Sequence, residues 1–258
     1  MTKFNLKRTP ERTCAVVLYV LLFPSISHAT GFLIYNQHAA ANALAIAYTA
    51  QVDNPSAVFY NPAAINQLSG TQASFGTVII IPRTKFTSDT TGETTRMKDH
   101  TYVLPNFYLT HKLNEKLSFG IGSFSPFGLS TDWPDDWEGN HLSTYARLRT
   151  FYVNPVVSYQ VHPKLSLAVG FNLIYSDLRF KRALKINPLP LNLGQADLDM
   201  DDIAYGFNLA LSYQITDRIK LGLSYRSSID IEYDGDADFR APALLKPLLP
   251  EGGVKLDI

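Results

Sequence analysis

The sequence predicts an all-β chain, the wall of an antiparallel transmembrane β-barrel preceded by a helical plug. Three observations predict it. From Thr101 onward the apolar residues fall on odd-numbered positions in segment after segment. Those segments run about 11 to 16 residues, enough to cross an outer membrane when tilted. Short polar turns at one end of the segments alternate with long irregular connections at the other, as transmembrane barrels arrange them.

The first thirty residues read as an address. Lys3, Lys7, Arg8 and Arg12 precede an apolar run from Cys14 to Phe23, followed by Pro24 and Ser27-His28-Ala29. This is the layout of a secretory signal peptide, residues 1–29, with cleavage expected after Ala29. The run is too short to span a bilayer, and no other apolar run reaches the ~18 residues of a spanning helix. Removal of residues 1–29 leaves 19 basic and 22 acidic residues and no cysteine. That balance gives no basic excess to hold a nucleic-acid backbone, and the lack of thiols suits an exported compartment.

Residues 30–70 read as a plug. His38 to Ala47 is alanine-rich, and Asp53-Asn54-Pro55 and Asn61-Pro62-Ala63 punctuate it, so short helices and turns are expected. About forty such residues are too few to fold alone and are most economically housed inside the barrel.

Residues 71–258 read as barrel wall: seven strands near 72–81, 101–112, 116–127, 147–161, 164–180, 203–215 and 218–233. Lys116-Leu117-Ser118-Phe119, Lys164-Leu165-Ser166-Leu167 and Lys220-Leu221-Gly222-Leu223 each follow a short polar turn. Long loops are expected over 84–99, 130–146 and 181–202. Ser125-Pro126-Phe127-Gly128 interrupts the third strand, since proline cannot donate to a ladder and glycine tolerates a bulge. An open seven-stranded sheet leaves unpaired edges in lipid. The chain also ends in Val254-Lys-Leu-Asp-Ile258 without a terminal aromatic, the usual signal to the barrel assembly machinery. The expectation is therefore the N-terminal half of a larger barrel.

No Gly-x-Ser-x-Gly elbow, His-Glu-x-x-His helix or phosphate-binding glycine loop occurs, so no enzyme, cofactor or metal is expected. Asp197-x-Asp199-x-Asp201 and Asp234-x-Asp236-x-Asp238 imitate the start of a calcium loop but lack its glycine and glutamate, and read as solvated loop acids. Asp132, Asp135, Asp136 and Glu138 around Trp133 and Trp137 read as an outer loop, with lipopolysaccharide and outer-membrane lipids as neighbours.

Gly31-Phe32, Asn61-Pro62-Ala63, Pro105-Asn106, Phe127-Gly128-Leu129, Gly170-Phe171-Asn172 with Tyr175, and Tyr225-Arg226-Ser227 occur in an order that resembles the FadL/TodX-type outer-membrane transporters. The resemblance implies uptake of hydrophobic compounds, most of all long-chain fatty acids, into an apolar lumen. It further implies a lateral opening at the kinked third strand, placed here at Ser125, Pro126 and Gly128. Phe32, Leu33 and Ile34 are expected to project into the lumen from the plug, which Asn61-Pro62-Ala63 closes. Strand parity points Arg182 inward, and the resemblance implies that it meets the ligand's carboxylate. The alternative is a structural or adhesin-like barrel without transport.

Overall fold

A computed structural model of the protein describes residues 33–185, 192–242 and 252–257; the expected signal peptide and Phe32 lie outside them. In chain order the elements are α1 (Ala39–Ala43), α2 (Ala57–Tyr60), a 3-10 turn (Pro62–Gln67), β1 (Thr71–Ile80), β2 (Lys85–Thr87), β3 (Thr94–Arg96), β4 (Tyr102–Lys112), β5 (Leu117–Phe124), β6 (Gly128–Asp132), β7 (Tyr145–His162), β8 (Leu165–Lys185), β9 (Asn192–Thr216), β10 (Ile219–Arg226), β11 (Glu232–Arg240) and β12 (Gly252–Asp257). Among the described residues, no helix is long and apolar enough to cross a membrane.

The sheet runs β1-β4-β5-β7-β8-β9-β11-β12, every neighbour antiparallel, with β6 pairing the far part of β7 and β10 the near part of β9. Among the described residues the sheet is not closed. β2 and β3 form a separate hairpin inside the connection expected as an irregular loop. Alternation sets the faces: along β7, odd-numbered Phe151, Val153 and Val157 stand exposed, and even-numbered Tyr152, Asn154, Val156 and Ser158 are buried. An exposed face of this kind suits hydrocarbon rather than water.

Turn chemistry closes the short ends. Asn114 Oδ1 accepts from the N–H of Lys116 and Leu117 ahead of β5, and Thr216 Oγ1 accepts from the N–H of Arg218 and Ile219 ahead of β10. At the long ends the expected boundaries fall short. The ladder between β8 and β9 continues past Tyr175↔Ile203 through Lys181↔Asp197 to Ala183↔Gln195, across residues expected as loop.

The N-terminal segment, Leu33 to Leu68, packs on the even-numbered face. Val58, Phe59, Tyr60, Ile65 and Leu68 join Tyr108, Phe124, Tyr152 and Ile174 of the sheet in one apolar core. Burying each such large side chain contributes roughly 1.5–3 kcal/mol. Gly120 and Gly122 allow the approach: a Cβ there would lie 2.8 and 2.9 Å from Val58 methyls. Helix α1 is shorter than the alanine run suggests, because Ala45 and Ile46 take positive φ and turn the chain back. A β-branched residue rarely adopts that backbone, and here Ile46 is held by packing against the core.

Candidate functional site

The site grows from a failure of pairing. β4 pairs with β5 from Phe107↔Ser123 to Lys112↔Ser118, whereas its outer half, Tyr102 to Asn106, pairs only with β1. Beyond β5 the chain steps aside at Ser125-Pro126-Phe127, and β6 resumes on β7 from Gly128↔Arg149 to Asp132↔Tyr145. Among the described residues, no ladder joins Tyr102–Asn106 to β6. At about 3.3 Å per residue, five residues make a slot roughly 16 Å long in the wall.

The slot leads to a cavity of about 390 Å³. Its lining includes Ile34 of the N-terminal segment and also Val103 and Phe151 of the exposed face, so it reaches both sides of the sheet. At the outer end the slot is clasped by side chains. Tyr102 Oη donates to Ser130 Oγ at 2.7 Å, and Asp132 takes Lys98 Nζ at 2.9 Å and His100 Nε2 at 2.8 Å. The Lys98 N–H also donates to the Asp132 carbonyl. Burial disfavours the ionised Asp132, but the hydrogen bonds from Lys98 and His100 outweigh it and hold the carboxyl below the usual range.

The N-terminal segment occupies the break. Leu33 forms a β-bridge with Phe127, the Ile34 N–H donates to the Pro126 carbonyl at 2.6 Å, and Gln37 Nε2 donates to the Ser125 carbonyl at 2.9 Å. Two of the expected groups, Leu33-Ile34 and Ser125-Pro126-Gly128, therefore meet. Gly128 is not left-handed; its open Cβ position lies 3.4 Å from Ile34 Cδ1. Asn61, Pro62 and Ala63 are buried within the same segment: Asn61 Oδ1 caps the 3-10 turn at the Ala63 N–H and its Nδ2 donates to the carbonyls of Thr49 and Leu211.

Arg182 lies elsewhere. It is exposed near the end of β8, opposite Ala196, and its side chain makes no hydrogen bond or ion pair among the described residues. A cation that reaches the apolar core is Arg226, at the end of β10. Its guanidinium lies 5.4–5.8 Å from the ring centroids of Phe59, Phe124 and Tyr152, and Nη1 donates to Asn172 Oδ1. The sequence signal for it was Tyr225-Arg226-Ser227, a base closing the small and apolar run Leu221-Gly222-Leu223-Ser224-Tyr225.

The supposed loop acids are carried by strands. Asp197, Asp199 and Asp201 of β9 stand opposite Asp238, Asp236 and Asp234 of β11. Like charges facing across a ladder are unfavourable. On the other flank Arg179 and Lys181 pair with Asp197, while Arg147 and Arg149 grip Asp177. Among the described residues, no three His, Cys, Asp or Glu side chains form a metal-binding set.

A long-stranded wall with a lipid-facing apolar side and a sequence-remote segment seated in a break defines an outer-membrane β-barrel protein. The profile of the outer membrane protein transport protein family (OMPP1/FadL/TodX) matches residues 20–251, and the chain belongs to that family. The family consists of outer-membrane transport channels rather than enzymes. The chain is 28% identical to a putative outer membrane protein of Neisseria meningitidis, over 93% of this chain and 57% of that protein. It is 26% identical to a long-chain fatty acid transport protein of Escherichia coli, over 86% and 55%. It thus spans little more than half the length of these relatives. In fold it is similar to a Pseudomonas aeruginosa FadL homologue (TM-score 0.70, 20% identity, 88% of this chain and 64% of that one). The P. putida toluene transporter TodX is also similar (TM-score 0.60, 19% identity, 80% and 58%).

Proposed function

We propose that the protein admits hydrophobic compounds, long-chain fatty acids foremost, to the interior of an outer-membrane barrel and releases them sideways between β4 and β6. The observation that carries this is the cavity at the slot, lined from Ile34 inside to Phe151 outside. A detergent-like substrate leaving through an axial pore would re-enter water, whereas a slot in the wall delivers it to hydrocarbon. The relatives' names, a long-chain fatty acid transport protein and a toluene transporter, support both the class of substrate and its breadth.

In this scheme residues 30–70 act as the plug. Leu33 and Ile34 fill the break at rest and withdraw when a ligand takes their place. Arg182, free at the rim, offers the first contact to an anionic head group arriving from outside. The charged outward rim around Arg147, Arg149 and Arg179 faces the lipopolysaccharide leaflet.

The test bridges the slot. With Tyr102→Cys and Ser130→Cys joined by a short bifunctional thiol reagent, uptake of a labelled long-chain acid by cells producing the protein should fall severalfold and recover on cleavage of the bridge. Unchanged uptake in bridged protein would place the exit elsewhere.

A further inference from the structure

One level of the interior carries more hydrogen-bond donors than the protein itself uses. Arg226 stands directly opposite Asn208 of β9, and Asn208 stands opposite Gly170 of β8. Asn172 follows two residues on along β8, and Asn154 occupies the same level of β7. All three asparagines are buried to within 1% of full enclosure. Four neighbouring strands thus set Asn154, Asn172, Asn208 and Arg226 side by side on the even-numbered face.

The donors do not balance. Asn154 Nδ2 donates to Asn208 Oδ1 and to the Phe171 carbonyl, and Asn172 Oδ1 accepts from Arg226. Among the described residues Asn172 Nδ2 and Asn208 Nδ2 have no partner, and neither has the acceptor Asn154 Oδ1, so one idle acceptor stands against two idle amide groups and the unused guanidinium N–H groups. The guanidinium carries five N–H donors, of which one hydrogen bond is made, and no carboxylate among the described residues pairs with it. A half-buried cation without a counter-charge is costly, and the three aromatic faces around Arg226 offset only part of that cost. Gly170 keeps the row possible, because a Cβ there would lie 2.4 Å from Asn208 Oδ1 and 3.0 Å from Asn154 Nδ2.

We infer that Arg226, Asn172 and Asn208 form a seat for one carboxylate, so that the interior holds anionic amphiphiles by the head group at the level of the N-terminal segment. An oxyanion would satisfy the two idle amides and the guanidinium fork together, which neither water nor an alcohol can do with charge. Phe59 of α2 covers the seat, with its ring 5.6 Å from the guanidinium. The seat therefore opens when the segment shifts, and a carboxylate that draws Arg226 off the rings loosens the hold on Phe59. The inference deepens the proposed transport and rests on it.

The experiment measures binding of dodecanoate and of dodecan-1-ol to the purified full chain at fixed pH, with assembly checked on a heat-modifiability gel. Arg226→Met should weaken dodecanoate about tenfold to a hundredfold, as for a lost hydrogen bond to a charged group, and leave dodecanol within about twofold. Asn208→Leu should give a smaller loss confined to dodecanoate, and it carries the test if Arg226→Met fails to assemble. Equal losses for both ligands would reduce Arg226 to a packing residue, and no loss for either would empty the seat; both results overturn the inference while leaving transport standing. A parent protein that binds neither ligand overturns the seat and the transport function together.

Discussion

Between Phe124 and Gly128 the chain advances four residues while β7 opposite advances three, from Tyr152 to Arg149. Between Arg226 and Asp234 it advances eight against seven on β9, from Asn208 to Asp201. Each interruption of the wall thus inserts one residue and exchanges the faces of the strand that follows. The two differ in who satisfies the freed groups. At the second, near neighbours do so: the Ser227 N–H donates to the Phe207 carbonyl, Ser227 Oγ accepts from the Phe207 N–H, and Ile229 and Ile231 fold onto the core. At the first, Thr150 Oγ1 of β7 accepts from the Phe127 N–H and donates to the Phe127 carbonyl, but the carbonyls of Ser125 and Pro126 are taken by Gln37 and Ile34, residues about ninety positions earlier in the chain. A break sealed by its own neighbours is fixed; one sealed by a remote segment can be unsealed without melting a strand.

Deleting one residue from each break tests the contrast most severely. Without Ser228, the pairing Arg226↔Asn208 would run straight on to Asp234↔Asp201, so Asp234, Asp236 and Asp238 keep the outward face and Tyr233 stays beside Ser176, whose hydroxyls meet at 2.7 Å. The deletion then only removes the bulge, so the heat-modifiable form should persist and fatty-acid uptake should be little changed. Deleting Pro126 should let β5 run into β6 and close the slot, with assembly retained and fatty-acid uptake reduced about tenfold. Similar outcomes for the two deletions would dissolve the distinction.

A smaller change reaches the seal itself. Gln37→Leu removes the donor to the carbonyls of Ile34 and Ser125 and leaves buried acceptors unmatched, at a cost of about 1–3 kcal/mol. Amide exchange and protease sensitivity should rise over residues 33–37 while β7 to β9 stay protected. Gly122→Ala pushes from the other side, since its new methyl would crowd Val58 Cγ1 at 2.9 Å and Tyr108 Cδ1 at 3.0 Å. Overpacking of that kind costs about 1–3 kcal/mol and should loosen the same segment. Undisturbed exchange over residues 33–68 in both variants would mean that the segment is not held where these contacts place it.

The two breaks were unequally legible in the sequence, for a physical reason. Pro126 announces the first because it lacks the donor a ladder needs. The second has neither proline nor glycine, and its apolar residues stay on odd numbers: Tyr225, Ile229, Ile231 and Tyr233 continue the pattern while the inserted residue turns the face over. Parity in sequence is then no longer parity in space. The same limit hid the outer parts of β8 and β9. Beyond the hydrocarbon the odd-numbered face becomes charged while Leu178, Phe180, Leu198 and Met200 hold the even one, and Arg179, Lys181, Asp197 and Asp199 look like loop even as the ladder runs on. Arg182 was legible as a base at a strand end; Arg226 mattered through rings on α2, β5 and β7 that only folding brings to it.

The smallest effect expected belongs to the clasp across the outer end of the slot, and its sign follows from Asp132. Burial opposes the charge on this carboxyl, and the hydrogen bonds from Lys98 and His100 more than reverse that, so its pKa in the folded protein lies below the ordinary carboxylate value. A depressed carboxylate stabilises the fold above its unfolded pKa of about 3.9 and ceases to do so as pH falls through the lower folded value. The clasp should hold from neutrality to about pH 4 and release only in stronger acid. Because Lys98 is half exposed, salt and side-chain entropy leave the contribution small. Spin labels at Val103 and Leu129, one on each lip, read the slot directly. Their distance distribution should be unchanged between pH 7 and pH 5 and broaden below about pH 4, and Asp132→Asn should show the broad distribution already at pH 7. A transition centred above pH 5, or a variant as narrow as the parent, would remove Asp132 from the clasp and leave the Tyr102–Ser130 hydrogen bond to hold the lips together.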